Sequence, residues 1–421
     1  MKSICLPQFH SNGERITVSV PASKSLLNRA LVLAAFCNST VTLECGTFAE
    51  DTRALIGCLN ALGICVEHNA ECLTVHGCNG NIPNKNAEIN VMSAGTAARF
   101  LTVALAFCGG DYTVTASEQM QQRPMEVLSL LENAGVSVEY LRECGHLPIR
   151  LHSTGIAVDE LTVDTDTSTQ YASAILLAAP ICKRPFTLKL TGSRTNGSYI
   201  GLTLQSLEKF GISWTRTGDE IVVSPTNATP NYLQIEPDIS GACYFYALAL
   251  LCSAKVLVRR VRENSKQGDM KFLHLLADRG VQFTQLDEGL LADGSSVKEF
   301  NGFIEGVKDF SDQALTICAL APFAASPTHI TGVAHIRKQE CDRVCAIQAN
   351  LARLGIKTEV TEDSVTVFPA SIQRGTIDSF GDHRVVMSFA LAALKTGIVT
   401  INDPDCCKKT FDDFFEIVAR L

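Results

Sequence analysis

Six segments of the chain share one pattern of polar and apolar positions. Each begins with a small or acidic polar residue and continues into an alanine-rich apolar stretch, and successive segments start 70 to 75 residues apart. A near-constant period along the whole chain indicates one structural unit used six times. A polar residue ahead of an apolar helix is typical of a helix N-terminus, where backbone N–H groups bind anions. The six openings are Ser23, Ser93, Ser168, Ser240, Asp312 and Asp382.

A second repeated feature, offset from the first, is a glycine between an amphipathic helix and a β-like alternation. A glycine just past a helix end allows the left-handed backbone that turns the chain back into a strand. Five copies are present, at Gly63, Gly135, Gly211, Gly280 and Gly355. Each unit is therefore predicted to contain a buried helix, a strand, an amphipathic helix and a β-hairpin.

The sixth copy ends at Leu421 without its hairpin, and the N-terminus offers a replacement. SICLPQF and ITVSV, separated by HSNGER, have the pattern of a strand, a turn and a strand. We expect this N-terminal hairpin to complete the last unit. The six units then divide into two α/β domains of three, one spanning 21–239 and the other 1–20 plus 240–421, with the active site in the cleft between them.

Composition limits the function classes. With 46% hydrophobic and 19% charged residues the chain is globular, and its 421 residues suit two domains rather than one. No stretch approaches the roughly 18 unbroken apolar residues of a membrane span, and MKSICLPQFHSNGER lacks the apolar core of a signal peptide. A net charge of −8 argues against a nucleic-acid partner but leaves room for a local basic cluster that binds a small anion.

The cysteines and histidines suggest neither disulfides nor a metal. The 17 cysteines include no CxxC pair, and they are interpreted as small buried residues in a reducing cytoplasm. The nine histidines show no HxxxH or similar ligand spacing. We therefore expect a cytoplasmic protein with no metal site.

Two helix openings in the first half combine small polar residues with arginine. In PASKSLLNRALVLAA, Ser25 and Arg29 lie four residues apart on one helix face, and Lys24 occupies the first turn. A cation there opposes the helix dipole unless an anion binds beside it. In SAGTAARFLTVA, Gly95 leaves room for a ligand near the backbone, and Arg123 before Pro124 is a candidate clamp for a carboxylate or phosphate.

The second half places acidic and basic residues side by side in four segments, DFSDQALT, HIRKQECDR, GDHRVVM and CCKKTFDDF. A group of lysines and arginines can bind two anionic reactants, and the carboxylates of Asp312, Glu340 and Asp382 can move protons. Each pair taken alone could be an ordinary surface ion pair, but their recurrence at equivalent points of the repeat favours a site.

These segments, together with QQRPM, STQYASA, SKQGD and KKTFDDFF, resemble the 3-phosphoshikimate 1-carboxyvinyltransferase (EPSP synthase) family from residue 21 to the C-terminus. The resemblance implies two inside-out α/β barrel domains, each of three βαβαββ-type repeats. It also implies transfer of the enolpyruvyl group of phosphoenolpyruvate to the 5-hydroxyl of shikimate 3-phosphate, releasing phosphate, in the shikimate pathway. No cofactor is implied, and the partners are these two small molecules; we expect a monomer.

The resemblance also assigns residues. Asp312 corresponds to the carboxylate that takes the proton from the 5-hydroxyl, Glu340 to the acid that protonates the methylene carbon, and Lys24 is counted with them as catalytic. Shikimate 3-phosphate would be bound by Lys24, Ser25, Arg29, Ser168, Thr169, Gln170, Asn196, Tyr199, Asp312, His335 and Gln339. Phosphoenolpyruvate would be bound by Lys24, Gly95, Arg123, Gln170, Arg343, Arg384 and Lys409.

Several positions depart from the family pattern. Gln339 stands where lysine is common, so proton transfer there must fall on Asp312, or on Lys338 if its side chain can reach. Asn196, His335, Ser93 and Phe100 are the other departures, and Phe100 replaces a proline.

Two other functions remain open from the sequence. The related transferase that acts on UDP-N-acetylglucosamine uses a reactive loop cysteine, and residues 119–124 contain none. A binding or regulatory protein that has kept the fold without catalysis is supported only by Gln339.

Overall fold

A computed structural model describes residues 2–69, 71–224 and 229–421 of the chain. Its contacts divide the chain in two. The central unit is Ala22–Glu236, and the terminal unit consists of the residues up to Pro21 together with Pro237–Leu421.

The N-terminal segment and the central unit contain fourteen strands and seven helices among their described residues. Two strands precede the central unit, β1 (Ser3–Cys5) and β2 (Arg15–Val18). The central unit then has α1 (Lys24–Phe36), β3 (Thr40–Glu44), α2 (Glu50–Ala61), β4 (Val66–Asn69), β5 (Cys72–His76), β6 (Asn86–Asn90), α3 (Gly95–Cys108), β7 (Gly110–Thr115), α4 (Glu118–Gln121), α5 (Val127–Asn133), β8 (Ser137–Tyr140), β9 (Ile149–Ser153), β10 (Glu160–Asp164), α6 (Thr169–Ala178), β11 (Phe186–Thr191), α7 (Ser198–Lys209), β12 (Trp214–Thr217), β13 (Glu220–Val223) and β14 (Tyr232–Gln234).

The rest of the terminal unit repeats this alternation. Its elements are α8 (Ile239–Cys252), β15 (Lys255–Arg259), α9 (Met270–Ala277), β16 (Gln282–Leu286), β17 (Gly289–Asp293), β18 (Ile304–Gly306), α10 (Ala314–Leu320), β19 (Thr328–Thr331), α11 (Arg343–Arg353), β20 (Thr358–Val360), β21 (Ser364–Val367), β22 (Gly375–Ile377), α12 (His383–Thr396), β23 (Val399–Asn402) and α13 (Phe414–Val418). Short 3₁₀ helices at Lys308–Gln313, Ala334–Lys338 and Pro404–Lys409 lie next to the candidate site residues.

Among the described residues each unit carries three small sheets; five of the six have four strands in one common arrangement, and β1-β23-β22 has three. The central unit has the strand orders β14-β3-β5-β4, β6-β7-β9-β8 and β10-β11-β13-β12, and the terminal unit has β2-β15-β17-β16, β18-β19-β21-β20 and β1-β23-β22. In β6-β7-β9-β8 the first pair is parallel and the next two pairs are antiparallel. A parallel pair joined by a helix, followed by a second helix and a hairpin, is the predicted βαβαββ repeat.

The predicted N-terminal hairpin is wrong in one respect. β1 does join the sixth repeat, antiparallel to β23, but β2 pairs in parallel with β15 of the fourth repeat instead of with β1. β14, which precedes α8 along the chain, pairs in parallel with β3 of the first repeat. The strands ahead of α1 and α8 are thus exchanged between the two units, and the chain passes from one unit to the other directly after each of them.

The repeated apolar helices are buried nearly all round, which explains their alanine-rich composition. All thirteen residues from Gly95 to Phe107 in α3 are buried, and α1, α3 and α6 pack against one another. In the terminal unit α8, α10 and α12 do the same. The sheets lie outside these helices, so each barrel has helices at its centre. No helix in the described part of the chain is long and apolar enough to cross a bilayer.

The five predicted glycine turns are confirmed, since Gly63, Gly135, Gly211, Gly280 and Gly355 all have φ between 71° and 94°. A side chain at these positions would strain the backbone.

The six helix openings are less uniform than predicted. Ser168 and Asp382 cap α6 and α12 by accepting a backbone N–H, whereas Ser23 precedes α1 without a side-chain cap. Asp238, not Ser240, caps α8, and Asp312 lies in a 3₁₀ segment before α10. The shared sequence pattern therefore predicts where each buried helix begins, but it does not predict which residue caps that helix.

Candidate active site

The central unit gathers polar side chains near the N-terminal ends of α1, α3 and α6, a group named here the central cluster. Asn28 donates to Thr96 Oγ1 at 2.7 Å, which links α1 to α3. Arg99 donates to Gln170 Oε1 at 2.9 Å, which links α3 to α6. Hydrogen bonds between buried polar groups therefore fix the three helix ends relative to one another.

Arg29 lies in the interior of the central cluster and is 1% exposed. Its Nε donates to Thr203 Oγ1 at 2.8 Å, and its Nη atoms donate to the carbonyl of Ser25 at 2.7 Å and to Ser173 Oγ at 3.1 Å. The Tyr199 ring centroid lies 5.8 Å from its guanidinium carbon. Burial lowers the pKa of Arg29 to about 10, so the residue stays charged at neutral pH. Its hydrogen-bond partners are neutral, which leaves the positive charge to attract an anion.

Lys24 begins α1 and pairs with Asp51 of α2, with 3.1 Å between Nζ and Oδ2. Both side chains are largely buried, at 16% and 7% exposure. Asp51 lies outside the motif segments. Its local sequence is that of an ordinary acidic residue in the first turn of a helix. It holds the ammonium group at the helix end, beside half-buried Ser25.

Arg99 and Arg123 converge on Gly95. A Cβ atom at Gly95 would lie 2.8 Å from Nη1 of Arg99 and 2.9 Å from Nη1 of Arg123. Burial and the charge of Arg123 lower the pKa of Arg99. Two guanidinium groups this close favour an anion between or beside them.

A tyrosine of α6, Tyr171, holds the loop that carries Arg123. The Tyr171 hydroxyl oxygen lies 2.6 Å from Glu126 Oε2 and 2.9 Å from the Pro124 carbonyl oxygen, so its single proton bonds one of these two acceptors. Burial raises the pKa of Tyr171 to about 12, so this donor keeps its proton.

The remaining candidates of the central unit lie at the starts of α6 and α7. Ser168 Oγ accepts the backbone N–H of Gln170, and Thr169 is buried next to it. Tyr199 belongs to the first turn of α7, whereas Asn196, in the preceding turn, is exposed. Ser168, Gln170 and Tyr199 therefore join the central cluster by direct contact.

In the terminal unit Arg343 contacts three carboxylates, a group named here the terminal cluster. Its Nε lies 2.7 Å from Asp382 Oδ2, its Nη1 2.9 Å from Asp312 Oδ1 and its Nη2 3.1 Å from Glu340 Oε2. Burial by itself would lower the pKa of Arg343, but the three carboxylates outweigh burial and raise it. Arg343 is therefore a permanent cation that positions three acids.

Asp312 lies between two arginines. Its Oδ2 is 2.8 Å from Nη2 of Arg384, and its Oδ1 contacts Arg343. Burial raises the pKa of Asp312, but Arg384 and Arg343 have the larger combined effect and lower it. The two arginines therefore favour the ionised form of this carboxylate.

Glu340 is also held by cations, with Lys409 Nζ at 3.5 Å from Oε1 and Arg343 on the other oxygen. Gln339 accepts a hydrogen bond from Arg343 through Oε1. Lys338 is exposed. Gln339, at the position where lysine is common in the family, therefore contacts the terminal cluster through a neutral amide.

His335 Nε2 lies 2.8 Å from Ser311 Oγ. In the terminal unit the structure therefore brings Asp312, Glu340 and Gln339 together around Arg343, along with Arg384 and Lys409. His335 contacts Ser311, in the segment next to Asp312.

Asp269 is a further buried acid of the terminal unit. Ser240 Oγ donates to its Oδ2. Burial, followed by the negative charge of Asp312, raises the pKa of Asp269 to about 7, although Arg384 opposes the change. Its only signal in the sequence is its place in the SKQGD segment, directly before α9.

Comparison with known proteins matches nearly the whole chain to one family. Residues 13–418 match the family model described as EPSP synthase (3-phosphoshikimate 1-carboxyvinyltransferase). A protein of Trichormus variabilis named 3-phosphoshikimate 1-carboxyvinyltransferase is 33% identical over 420 residues, covering 99% of this chain and 98% of that protein. A Nostoc sp. protein of the same name is 34% identical over 424 residues, with 99% and 98% covered.

Solved structures show the same fold. The EPSP synthase of Acinetobacter baumannii superposes with a TM-score of 0.79 at 23% identity, over 99% of this chain and 97% of that one. The enolpyruvyl transferase NikO of Streptomyces tendae superposes with a TM-score of 0.71 at 17% identity, over 100% and 97%.

Proposed function

The chain belongs to the EPSP synthase (3-phosphoshikimate 1-carboxyvinyltransferase) family, and we propose that its central and terminal clusters act together on the two substrates of that reaction. The enolpyruvyl group of phosphoenolpyruvate is transferred to the 5-hydroxyl of shikimate 3-phosphate. The products are 5-enolpyruvylshikimate 3-phosphate and phosphate. The observation that carries the proposal is an ionised acid, Asp312, fixed between Arg343 and Arg384 beside a second acid, Glu340.

The central cluster binds shikimate 3-phosphate in this proposal. Arg29 has neutral hydrogen-bond partners and a charge available to an anionic group. Ser168, Thr169 and Gln170 present hydroxyl, amide and backbone donors at the start of α6, where the helix dipole also favours phosphate. Lys24, Ser25 and Tyr199 complete this set, with Asn196 from the exposed turn before α7.

The terminal cluster carries the proton chemistry. Asp312 accepts the proton of the 5-hydroxyl as the oxygen attacks C2 of phosphoenolpyruvate, and Glu340 donates a proton to C3. The intermediate is a tetrahedral ketal. Glu340 then takes a proton back from C3 as the bond between C2 and the phosphate oxygen breaks, which restores the double bond and releases phosphate. The proton held by Asp312 leaves with the phosphate or to solvent, so atoms and charge balance without a cofactor. In this proposal His335 and Gln339 contact shikimate 3-phosphate rather than move protons.

The cations stabilise charge on phosphoenolpyruvate and on the leaving phosphate. Arg384 and Lys409 are each bound to one of the two acids, so an anionic substrate that attracts these cations loosens their hold on Asp312 and Glu340. Asp312 then becomes a better base, and Glu340 can hold the proton that it must donate. Arg123, next to Gly95, and Lys24 supply positive charge from the central unit.

A phosphate-release assay tests this function. Purified protein supplied with both substrates should release one phosphate for each 5-enolpyruvylshikimate 3-phosphate formed, and neither substrate alone should release any. Binding of both substrates without turnover would instead indicate a non-catalytic homologue. Phosphate release only with UDP-N-acetylglucosamine as acceptor would assign the chain to the related transferase.

We also propose that the protein acts as a monomer in the cytoplasm. Each unit has its own buried core, and the substrates are small, water-soluble anions. Light scattering coupled to size-exclusion chromatography checks the first part of this statement, because a 45.4 kDa mass is expected for one chain.

A further inference from the structure

Three metal-ligating side chains of different chemistry meet on the outer face of the β4–β5 hairpin. The ligand atoms of Cys65, Glu67 and His76 all lie within 4.8 Å of one another. We propose that these three residues form a binding site for a divalent cation of the Zn²⁺ class, in the central unit and separate from the enolpyruvyl-transfer chemistry.

Strand geometry places the three side chains together. Val66 pairs with Val75, and the His76 N–H donates to the Cys65 carbonyl at 3.0 Å, so Cys65 and His76 lie opposite each other. Directly opposite residues share a face of the sheet, as do residues two apart on one strand. Cys65, Glu67 and His76 are therefore on one face, while Val66 and Val75 are buried on the other.

The donor set suits zinc. A thiolate, an imidazole and a carboxylate are the three side-chain ligands that Zn²⁺ uses, and three protein ligands leave a fourth position for water. Binding deprotonates the Cys65 thiol, and the proton passes to solvent. Harder cations such as Mg²⁺ and Ca²⁺ prefer oxygen ligands alone and are disfavoured by the sulfur.

A second contact orients the imidazole. His76 Nδ1 lies 3.2 Å from Thr40 Oγ1 on β3, and His76 Nε2 lies 3.4 Å from Glu67 Oε1. An imidazole that uses one nitrogen for a neighbouring oxygen presents the other to a metal, which is the usual support of a ligating histidine. An ordinary surface ion pair would explain the Glu67–His76 contact, but it would not require a thiol at the same point.

The site links an edge strand to its neighbour. β4 is the last strand of the β14-β3-β5-β4 sheet, in which it pairs with β5. A cation bound by Cys65 and Glu67 on one side and by His76 on the other would hold β4 in place and stabilise the native state by mass action.

Cobalt(II) and zinc(II) titrations of the full chain test the proposal without reference to enzyme activity. The wild-type protein should bind one Co²⁺ with a thiolate-to-cobalt charge-transfer band, and Zn²⁺ should displace it. Cys65→Ser should abolish the band and weaken Zn²⁺ binding at least tenfold, and Glu67→Gln should weaken it as well. Both positions are exposed, so neither variant is expected to unfold.

Cys144→Ser is the matched control. Glu143, Cys144 and His146 are the same three residue types on an exposed turn, but among the described residues only the Cys65 group brings its ligand atoms within 4.8 Å. The control should bind as wild type does. Equal Zn²⁺ binding by wild type and Cys65→Ser, or no stoichiometric binding by wild type, would overturn the proposal.

Discussion

The Arg343 guanidinium and the Asp382 carboxylate form a 2.7 Å ion pair in which neither side chain is more than 1% exposed. Asp382 also caps α12 by accepting the backbone N–H of Arg384 at 2.8 Å. One buried carboxylate therefore fixes both Arg343 and the start of the helix that carries Arg384. The two arginines that hold Asp312 are positioned through the same residue.

Removing the positive charge of this pair should destabilise the protein strongly. Arg343→Met leaves Asp382 buried without its cation, and breaking a buried pair in this way costs about 3–5 kcal/mol. Urea unfolding followed by circular dichroism should show this loss in the free energy of unfolding. Arg353→Met is the control on the same helix, because Arg353 pairs with Asp378 at the surface, with 43% and 39% of the side chains exposed. It should cost less than about 1 kcal/mol, and equal losses in the two variants would contradict the buried-pair account.

The raised pKa of Asp269 predicts how stability depends on pH. Its pKa is about 7 in the folded protein against an ordinary value of 3.8, so the folded state binds the proton more tightly. Between about pH 4 and pH 7 the native state therefore holds more protons than the unfolded state, and Asp269 makes the protein less stable as pH rises. Asp269→Asn removes this effect while an amide oxygen can still accept from Ser240.

The free energy of unfolding of Asp269→Asn relative to wild type should therefore increase from pH 4 to pH 7 and level off above. The total change should be on the order of a few kcal/mol. A difference between the two proteins that stays constant over this range would show that Asp269 titrates normally.

Gly95→Ala should weaken the binding of phosphoenolpyruvate. The added methyl group lies 2.8–2.9 Å from the Nη1 atoms of Arg99 and Arg123 and must displace at least one of them. These are flexible side-chain ends, so stability should change little, whereas KM for phosphoenolpyruvate should rise on the order of tenfold. Steady-state kinetics with shikimate 3-phosphate saturating measures this.

Gly57→Ala controls for the substitution itself. Gly57 lies inside α2 with no atom within 4 Å of a Cβ, so the variant should keep wild-type KM and gain about 0.5–1 kcal/mol of stability. An unchanged KM in Gly95→Ala would mean that the arginines near Gly95 do not bind this substrate.

The sequence predicted the repeat and its glycine turns because both follow from local chemistry. A glycine such as Gly135, with φ of 93°, has a backbone requirement that does not depend on the rest of the fold. The exchange of β2 and β14 could not be predicted in the same way. Both are short strands before a polar helix opening, and only their parallel pairing with β15 and β3 separates them.

The candidate site shows the same division between local and long-range information. The motif resemblance pointed to Arg343, Asp312 and Glu340 as site residues. It did not show that one guanidinium contacts both acids and Asp382, since the three carboxylates come from separate segments. Asp269 and Asp51 were missed because their importance comes from burial beside charged neighbours. Cys65 and His76 were missed because strand pairing, not sequence spacing, makes them neighbours.

The most direct test of the proposed mechanism compares Asp312→Asn with Asp309→Asn. Both aspartates lie in the 3₁₀ segment Lys308–Gln313, but Asp309 is an exposed partner of Lys271. Steady-state turnover and equilibrium binding of both substrates are measured for each variant. We predict that Asp312→Asn lowers kcat by about 100-fold or more, with substrate dissociation constants within about tenfold of wild type, while Asp309→Asn behaves as wild type. Near-normal turnover by Asp312→Asn would contradict the assignment of Asp312 as the base.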